Sequence, residues 1–177
     1  MIDNTSFPQA LASPAEPVVV IDSELMQRAI EASRKSPRKR VILPIHKTHD
    51  DPLQRMLNAI QPGSYIRPHR HFAPPTAESI VMLRGAIGLV TFQLDGQVDR
   101  LIRVEARSPS VGIDISPTVY HTFFALEPDT VCFEVKAGPF DPKAAKDFAD
   151  WAPAEGADQS MKYLRSLYGR FNTPPAF

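Results

Sequence analysis

The sequence has a single cysteine, few glycines and no long apolar run. Cys132 is the only cysteine among 177 residues, which excludes an intramolecular disulfide, and we expect a buried, inert thiol. No apolar run approaches the roughly 20 residues that span a bilayer. The 8 glycines do not cluster as in a phosphate-binding loop, and no Gly-x-Ser-x-Gly motif frames a nucleophile.

Excess charge of either sign is also missing. The chain carries 20 basic and 20 acidic residues, so no overall field attracts nucleic acid or an anionic membrane, and we expect neither as a partner. The basic run at residues 34–40 is either a solvated surface or a phosphate site. The first residues lack the charged and apolar segments of a secretory signal, so we expect a cytoplasmic protein.

Proline, in contrast, is abundant. The 18 prolines favour turns and short strands over long helices, and the chain is long enough for one domain with a sizeable core. We predict a mainly β, single-domain fold in four segments. These are a disordered leader at residues 1–17, a strand and helix extension at 18–62, a β-barrel at 63–140 and a helical extension at 141–177.

The first part of the chain carries signals for both strands and helices. Asp22 or Ser23 can cap a helix over residues 24–30, and Pro52 predicts the start of a second short helix with Met56, Leu57 and Ile60 on its buried side. The remaining elements here are strands, predicted over residues 18–21 and, at a sheet edge because of its proline, over 41–46.

From Gly63 onward the pattern changes to short strands and turns. Asp95-Gly96, between two apolar runs, is a strong signal for a two-residue hairpin. After Gly138 the pattern becomes helical again. Strands are predicted over residues 86–94, 97–104, 111–115, 121–126 and 131–136, and C-terminal helices over 143–151 and 160–171.

Histidines concentrate the candidate chemistry in the barrel segment. His69 and His71 face the same side of a strand, because side chains alternate with period two. Neutral imidazole is a common ligand of zinc, iron, copper and nickel. Glu78 follows a proline-rich loop and opens the next strand, and His121 lies on a later strand. This is the pattern of a metal held inside a small β-barrel.

The order of these residues resembles the first cupin motif, in which a glycine, two histidines, a glutamate and a second glycine recur. The matching residues are Gly63, His69, His71, Glu78 and Gly85. One departure is the gap between His71 and Glu78, which is longer than usual. The proline-rich loop absorbs the excess, so that strand alternation can still direct Glu78 inward.

The second cupin motif, Pro-x-Gly-x-x-His, is matched less closely. Ser116 and Thr118 stand where proline and glycine are expected, while His121 is kept. The resemblance implies a single-domain cupin, a jelly-roll β-barrel with N-terminal helical segments and C-terminal helices. It also implies one divalent metal ion (Fe, Mn, Ni or Zn), with His69, His71, Glu78 and His121 as its ligands.

A narrower resemblance is to the WbuC-type cupins, small proteins found with bacterial surface-polysaccharide gene clusters. It implies a metal enzyme that acts on a sugar, a sugar-nucleotide or a hydroxy acid by isomerase- or epimerase-type proton transfer, while the general resemblance to cupins implies a homodimer. That family has no settled reaction, so an Fe(II)-dependent dioxygenase and a non-catalytic carbohydrate-binding cupin remain alternatives. The segments that carry the resemblance are residues 51–59, 67–71, 125–131 and 133–140.

Five further residues are candidates for catalysis or substrate binding. Glu134 and Lys136 lie opposite an apolar strand face; they either form an outward polar face, or Glu134 points into the barrel as a general acid or base. Arg67 shares strand parity with the two histidines and could grip a carboxylate or phosphate. Tyr65 has the same parity and either transfers a proton or packs. His46 either reaches the barrel mouth as a proton carrier or has a surface or packing role.

Overall fold

The chain folds as two antiparallel β-sheets with a helix packed outside each sheet. The computed structural model describes residues 7–141 and 146–172, which form two helices and ten strands. The helices are α1 (Ser23–Lys35) and α2 (Ser160–Gly169). The strands are β1 (Arg40–Pro44), β2 (Leu53–Ile60), β3 (His69–Arg70), β4 (Glu78–Arg84), β5 (Ala86–Phe92), β6 (Val98–Glu105), β7 (Gly112–Ile115), β8 (Tyr120–Ala125), β9 (Thr130–Ala137) and β10 (Asp147–Phe148).

The order of the strands is that of a jelly roll. The first sheet runs β1-β2-β9-β4-β7 and the second runs β10-β3-β8-β5-β6. Strands β2 to β9 supply four strands to each sheet, as in the eight-stranded double Greek key of jelly rolls and cupins. Strands β1 and β10 add one edge strand to each sheet. The predicted mainly β, cupin-like fold is therefore confirmed.

An apolar core fills much of the space between the two sheets. Because side chains alternate along a strand, β2, β4 and β9 each direct every second residue inward. The core residues of the first sheet are Ile60, Ile80, Met82 and Cys132, and those of the second include Ile87, Leu89, Val104 and Phe123.

Helix α1 covers the outer face of the first sheet. Leu25, Ala29 and Ile30 lie on one side of the helix and pack against Leu43 and Leu57. Burying an aliphatic side chain of this size contributes about 1.5–3 kcal/mol. Most of the stability of this short helix therefore comes from the sheet beneath it.

Helix α2 covers the outer face of the second sheet in the same way. Leu164, Leu167 and Tyr168 pack against Val90 and Phe124, and the Tyr168 hydroxyl donates a hydrogen bond to the Ala125 carbonyl at 2.5 Å. Strand β5 is consequently buried on both faces, which explains its continuous apolar sequence.

Several predicted elements are confirmed. Asp22 caps α1, β1 lies at a sheet edge, Asp95-Gly96 joins β5 to β6, and the last predicted helix is α2. Neither helix in the part of the chain that the structure describes is long and apolar enough to cross a membrane.

Two predictions in the first part of the chain are wrong. Residues 18–21 form no strand; Val18 is 78% exposed, and β propensity has little effect without a sheet surface to pack on. The helix predicted after Pro52 is strand β2, which pairs with β1 and β9. Met56 and Leu57 lie on opposite faces of that strand, a period-two pattern that a short helical stripe can imitate.

Two terminal predictions fall partly outside the described residues. Residues 143–145 of the predicted helix 143–151 lie outside the described residues. Residues 146–151 contain β10 and a turn and form no helix. Residues 1–6 of the predicted leader are also outside. Within 7–17, Ala10 forms an isolated bridge with Ile42, and the Leu11 N–H donates to the Ile42 carbonyl at 2.8 Å.

Replacing Asp22 by alanine tests the cap of α1. The Asp22 carboxylate accepts a hydrogen bond from the Leu25 N–H at 2.9 Å, and its loss leaves a helix donor without a partner. We expect Asp22→Ala to lower the free energy of unfolding by about 1 kcal/mol in urea denaturation. Ser23→Ala is the control, with an expected change below about 0.5 kcal/mol. Equal losses in both variants would contradict the assignment.

Candidate metal centre

Four buried side chains meet inside the barrel beside the apolar core. They are His69 on β3, His71 directly after it, Glu78 at the start of β4 and His121 on β8. One potential ligand atom from each lies within 4.8 Å of all the others. A coordination sphere with metal–ligand distances of about 2.0–2.2 Å has nearly this span. The cluster is therefore consistent with a divalent metal site, and it consists of the four predicted ligands.

Backbone pairing brings these residues together. His69 and His121 are direct partners in the β3–β8 pairing. The His71 N–H donates to the Pro117 carbonyl at 3.1 Å, which ties His71 to the turn before β8. The Thr76 N–H donates to the His71 carbonyl at 3.0 Å. This bond folds the long proline-rich loop back, so that Glu78 reaches His71 despite the unusual gap.

The two glycines of the first motif occupy positions that require them. Gly63 and Gly85 have φ angles of +88° and +70°, a region that side chains with a Cβ rarely adopt. A Cβ at Gly85 would also lie 2.5 Å from the Thr130 hydroxyl oxygen. Thr118, which replaces the glycine of the second motif, is not among the described residues with positive φ. The turn before His121 therefore forms without glycine.

Backbone carbonyls orient two of the imidazoles. The Nδ1 atoms of His69 and His121 each lie 2.9 Å from a carbonyl oxygen, that of Arg67 and Val119 respectively. A carbonyl only accepts, so Nδ1 carries the proton and Nε2 keeps its lone pair, as in the second shell of known metal sites. His121 Nε2 is buried and has no hydrogen-bond partner among the described residues. A metal ion would satisfy this lone pair.

The ionisation of the cluster also suits a metal. Burial and the neighbouring Lys146 ammonium lower the pKa of His69 well below its usual value. Burial alone would raise the pKa of Glu78, but contacts with His121, His71 and Lys136 hold it well below its usual range. The His71 Nε2 lies 2.8 Å from the Glu78 carboxylate. A neutral imidazole and an ionised carboxylate are the forms that bind metals, and the mixed nitrogen and oxygen set suits Fe(II), Mn(II), Ni(II) or Zn(II).

Glu134 and Lys136 lie on the inner face of β9, next to the cluster. Glu134 is 5% exposed, and Lys136 is the direct partner of Glu78 in the β4–β9 pairing. The Lys136 ammonium lies 3.0 Å from Glu134 Oε1, and the Asn58 amide donates to Glu134 Oε2. Phe133 instead packs on the α1 side. The inward orientation is therefore the one that the structure shows.

The Lys136 ammonium is stabilised by the two carboxylates near it. Burial alone would lower the pKa of Lys136, but the carboxylates of Glu134 and Glu78 raise it overall. Asn58 was not predicted as a site residue, because β2 was interpreted as a helix. Side chains two residues apart on a strand point to the same face. If β2 is recognised as a strand, Asn58 therefore shares the face of Met56, and this is the signal that could have identified it.

Arg67, Tyr65 and His46 are engaged elsewhere. Arg67 Nε and Nη2 donate to the Ala149 carbonyl at 3.1 and 2.6 Å. The Tyr65 hydroxyl donates to the Pro153 carbonyl at 2.8 Å, within the apolar cluster under α2.

His46 is buried, with Nδ1 2.9 Å from the carbonyl oxygen and 3.1 Å from the amide nitrogen of Arg55. His46 does not belong to the cluster of potential ligands. The parity argument for Tyr65 and Arg67 fails because the chain before β3 is not a strand.

A cavity of about 50 Å³ opens beside the cluster. Two larger depressions, of about 440 and 310 Å³, lie beside α2 and share no residue with the cluster. The residues that line the cavity include Gln54, His71, Pro74, Thr76, Lys136 and Phe140.

Comparison with known proteins gives one domain model of undefined activity and distant structural likenesses. Residues 21–104 match the model of a domain of unknown function, DUF6016, and no curated protein matches the chain. One similar solved structure is the capsular polysaccharide assembling protein CapF of Staphylococcus aureus, with 21% identity and a TM-score of 0.46 over 56% of this chain and 27% of CapF.

Two further structures show a likeness of the same order. KdgF of Halomonas sp. has 19% identity and a TM-score of 0.43 over 59% of this chain and 80% of KdgF. A single-substitution variant of the oxalate decarboxylase of Bacillus subtilis has 17% identity and a TM-score of 0.45 over 70% of this chain and 29% of the decarboxylase. The strand order itself establishes the cupin-like fold, which here contains a buried cluster of three histidines and one glutamate.

Removal of one imidazole tests the metal centre. We expect near-stoichiometric metal in the wild type after incubation with Zn(II) or Mn(II) and dialysis, and a several-fold loss in His69→Ala and His121→Ala, because each removes a nitrogen ligand. Elemental analysis measures the content. His49→Ala is the control, since His49 is exposed and outside the cluster. Unchanged metal in both cluster variants would contradict the site.

Proposed function

We propose that this protein is a metal-dependent cupin enzyme that moves a proton on a small hydroxylated substrate. The substrate is a sugar, a sugar-nucleotide or a hydroxy acid, and the reaction is of isomerase or epimerase type. A bound divalent ion supplies Lewis-acid activation of a substrate oxygen. One observation carries the proposal: a buried carboxylate, Glu134, lies inside the barrel beside the cluster without being one of its four members.

The surroundings of Glu134 suit a general base. Lys136 contacts one carboxylate oxygen and Asn58 the other, which fixes the side chain. Glu134 is opposite Ile80 in the β4–β9 pairing, two residues from the Glu78–Lys136 pair. Diagonal neighbours of this kind are separated by about 7–8 Å. That separation leaves room for a substrate atom between Glu134 and the ligand Glu78.

The proton-transfer role is assigned to Glu134 alone among the three predicted candidates. Tyr65 donates its hydroxyl proton to a backbone carbonyl, and His46 uses Nδ1 in a contact with the Arg55 backbone. A general base needs to reach the substrate proton directly or through one water. Of the three side chains, only that of Glu134 lies on the barrel face that carries Glu78.

The biological setting is also part of the proposal. The resemblance to WbuC-type cupins supports a role in surface-polysaccharide metabolism, and the wider resemblance to cupins supports a homodimer, which we propose to be cytoplasmic. The Asp51-Pro52 segment that carries part of this resemblance leads into β2, which places Asn58 next to Glu134.

Replacing Glu134 by glutamine tests the proposed base. The metal-loaded protein is incubated in deuterium oxide with glycolate, lactate or UDP-glucuronate, and NMR follows the exchange of the hydrogen next to the carboxylate. We expect Glu134→Gln to slow exchange by at least about 100-fold, the range of general-base catalysis, with unchanged metal content.

The control is Glu16→Gln, an exposed residue far along the chain from the barrel. Wild-type exchange rates in Glu134→Gln would contradict the role of Glu134. Oxygen consumption that depends on substrate, without hydrogen exchange, would support the dioxygenase instead.

A further inference from the structure

The cavity beside the metal centre is selective for both size and charge. We infer that its substrate is a small monocarboxylate of a few carbon atoms, held through its carboxylate by Lys136. This inference rests on the proposed function and narrows its substrate class from sugars, sugar-nucleotides and hydroxy acids to the last of these.

The size of the cavity excludes a sugar-nucleotide from its interior. Its volume is about 50 Å³, whereas pockets for drug-sized ligands have about 300–1,000 Å³ and one water occupies about 30 Å³ in the liquid. The walls combine barrel residues, Gln54 on β2 and Lys136 on β9, with loop residues that include Pro74 and Phe140. The cavity therefore admits a molecule of a few heavy atoms.

The position of Lys136 makes it the anchor for an anion. It lines the cavity together with His71, a member of the metal-site cluster, so one small molecule can contact both. An ammonium group has three N–H donors. The contact with Glu134 at 3.0 Å leaves donors for a second carboxylate.

The charges inside the barrel favour a single negative charge on the ligand. Glu78 and Glu134 are buried carboxylates, and Lys136 is the cation between them. A divalent metal ion brings the total of this group to one positive charge, and a buried unpaired charge is costly. Lys146, whose ammonium also acts on His69, and Asp141, which lines the cavity, carry opposite charges, so counting both leaves this total unchanged. A monocarboxylate neutralises the site.

Calorimetric titration of the Zn(II)-loaded protein tests this inference with three probes. Glycolate is the small monocarboxylate, glycolamide is its uncharged analogue, and UDP-glucuronate carries a carboxylate on a molecule too large for the cavity. We expect glycolate to bind at least tenfold more tightly than either. Equal affinity for glycolate and glycolamide, or tighter binding of UDP-glucuronate, would overturn the inference.

Variants identify the anchor. We expect Lys136→Met to weaken glycolate binding at least tenfold, Lys136→Arg to retain most of it, and Glu134→Gln to retain or strengthen it because a negative charge is removed. Lys35→Met, at an exposed position on α1, should have no effect. If Lys136→Met does not fold, the double variant Glu134→Gln, Lys136→Met leaves no buried charge of this pair unpaired and should show the same loss. Wild-type affinity in the variant that folds would overturn the anchor.

The outcome of the binding experiment can be distinguished from the outcome of the exchange experiment that tests Glu134 as the base. Metal content is measured on every sample, and binding needs no turnover. Glycolate binding that depends on Lys136 together with unimpaired exchange in Glu134→Gln would sustain this inference and reject the base. If exchange depends on Glu134 but glycolate binding does not depend on Lys136, the base is supported and this inference is rejected.

Discussion

The convergence of three imidazoles and one carboxylate between two sheets is the constraint on which the site depends. Polar groups buried in a barrel are costly unless each finds a partner. Carbonyl oxygens of Arg67 and Val119 accept from two Nδ1 atoms, and Glu78 contacts His71. His121 Nε2 lies 3.7 Å from Glu78 Oε2 but has no hydrogen-bond partner among the described residues. This buried nitrogen makes no hydrogen bond within the described part of the chain and lies close to the other three potential ligand atoms. That arrangement distinguishes a metal site from an ordinary buried hydrogen-bond network.

The rest of the fold keeps this cluster in place and buried. The apolar core fills the barrel beyond it, and the two helices cover the outer faces of the sheets. On the inner face of the first sheet, polar residues next to the cluster interrupt the apolar core. Asn58, Glu134 and Lys136 face the cluster where an apolar barrel would carry aliphatic residues. Buried charge of this kind is expensive to maintain, which favours a functional explanation over a purely structural one.

Much of the site could be predicted from the sequence, because it depends on local rules. His69 and His71 share a strand face by alternation, and motif order identified Glu78 and His121 despite the long loop. The prediction failed where it needed tertiary information. Pro52 and a short apolar stripe suggested a helix, but two neighbouring strands enforce β2. The expectation that Tyr65 and Arg67 share a strand face with the two histidines failed, because the regular strand begins only at His69. The inward direction of Glu134 was open, since both strand faces are buried, one against α1 and one in the barrel.

The coordination of the bound metal tests the central claim most directly. X-ray absorption spectroscopy of Zn(II)- or Mn(II)-loaded protein reports the ligand atoms around the ion. The account predicts a first shell of nitrogen and oxygen at about 2.0–2.2 Å with the outer-shell scattering of three imidazoles, reduced to two in His121→Ala. A spectrum with no imidazole contribution, or one that His121→Ala leaves unchanged, would contradict it.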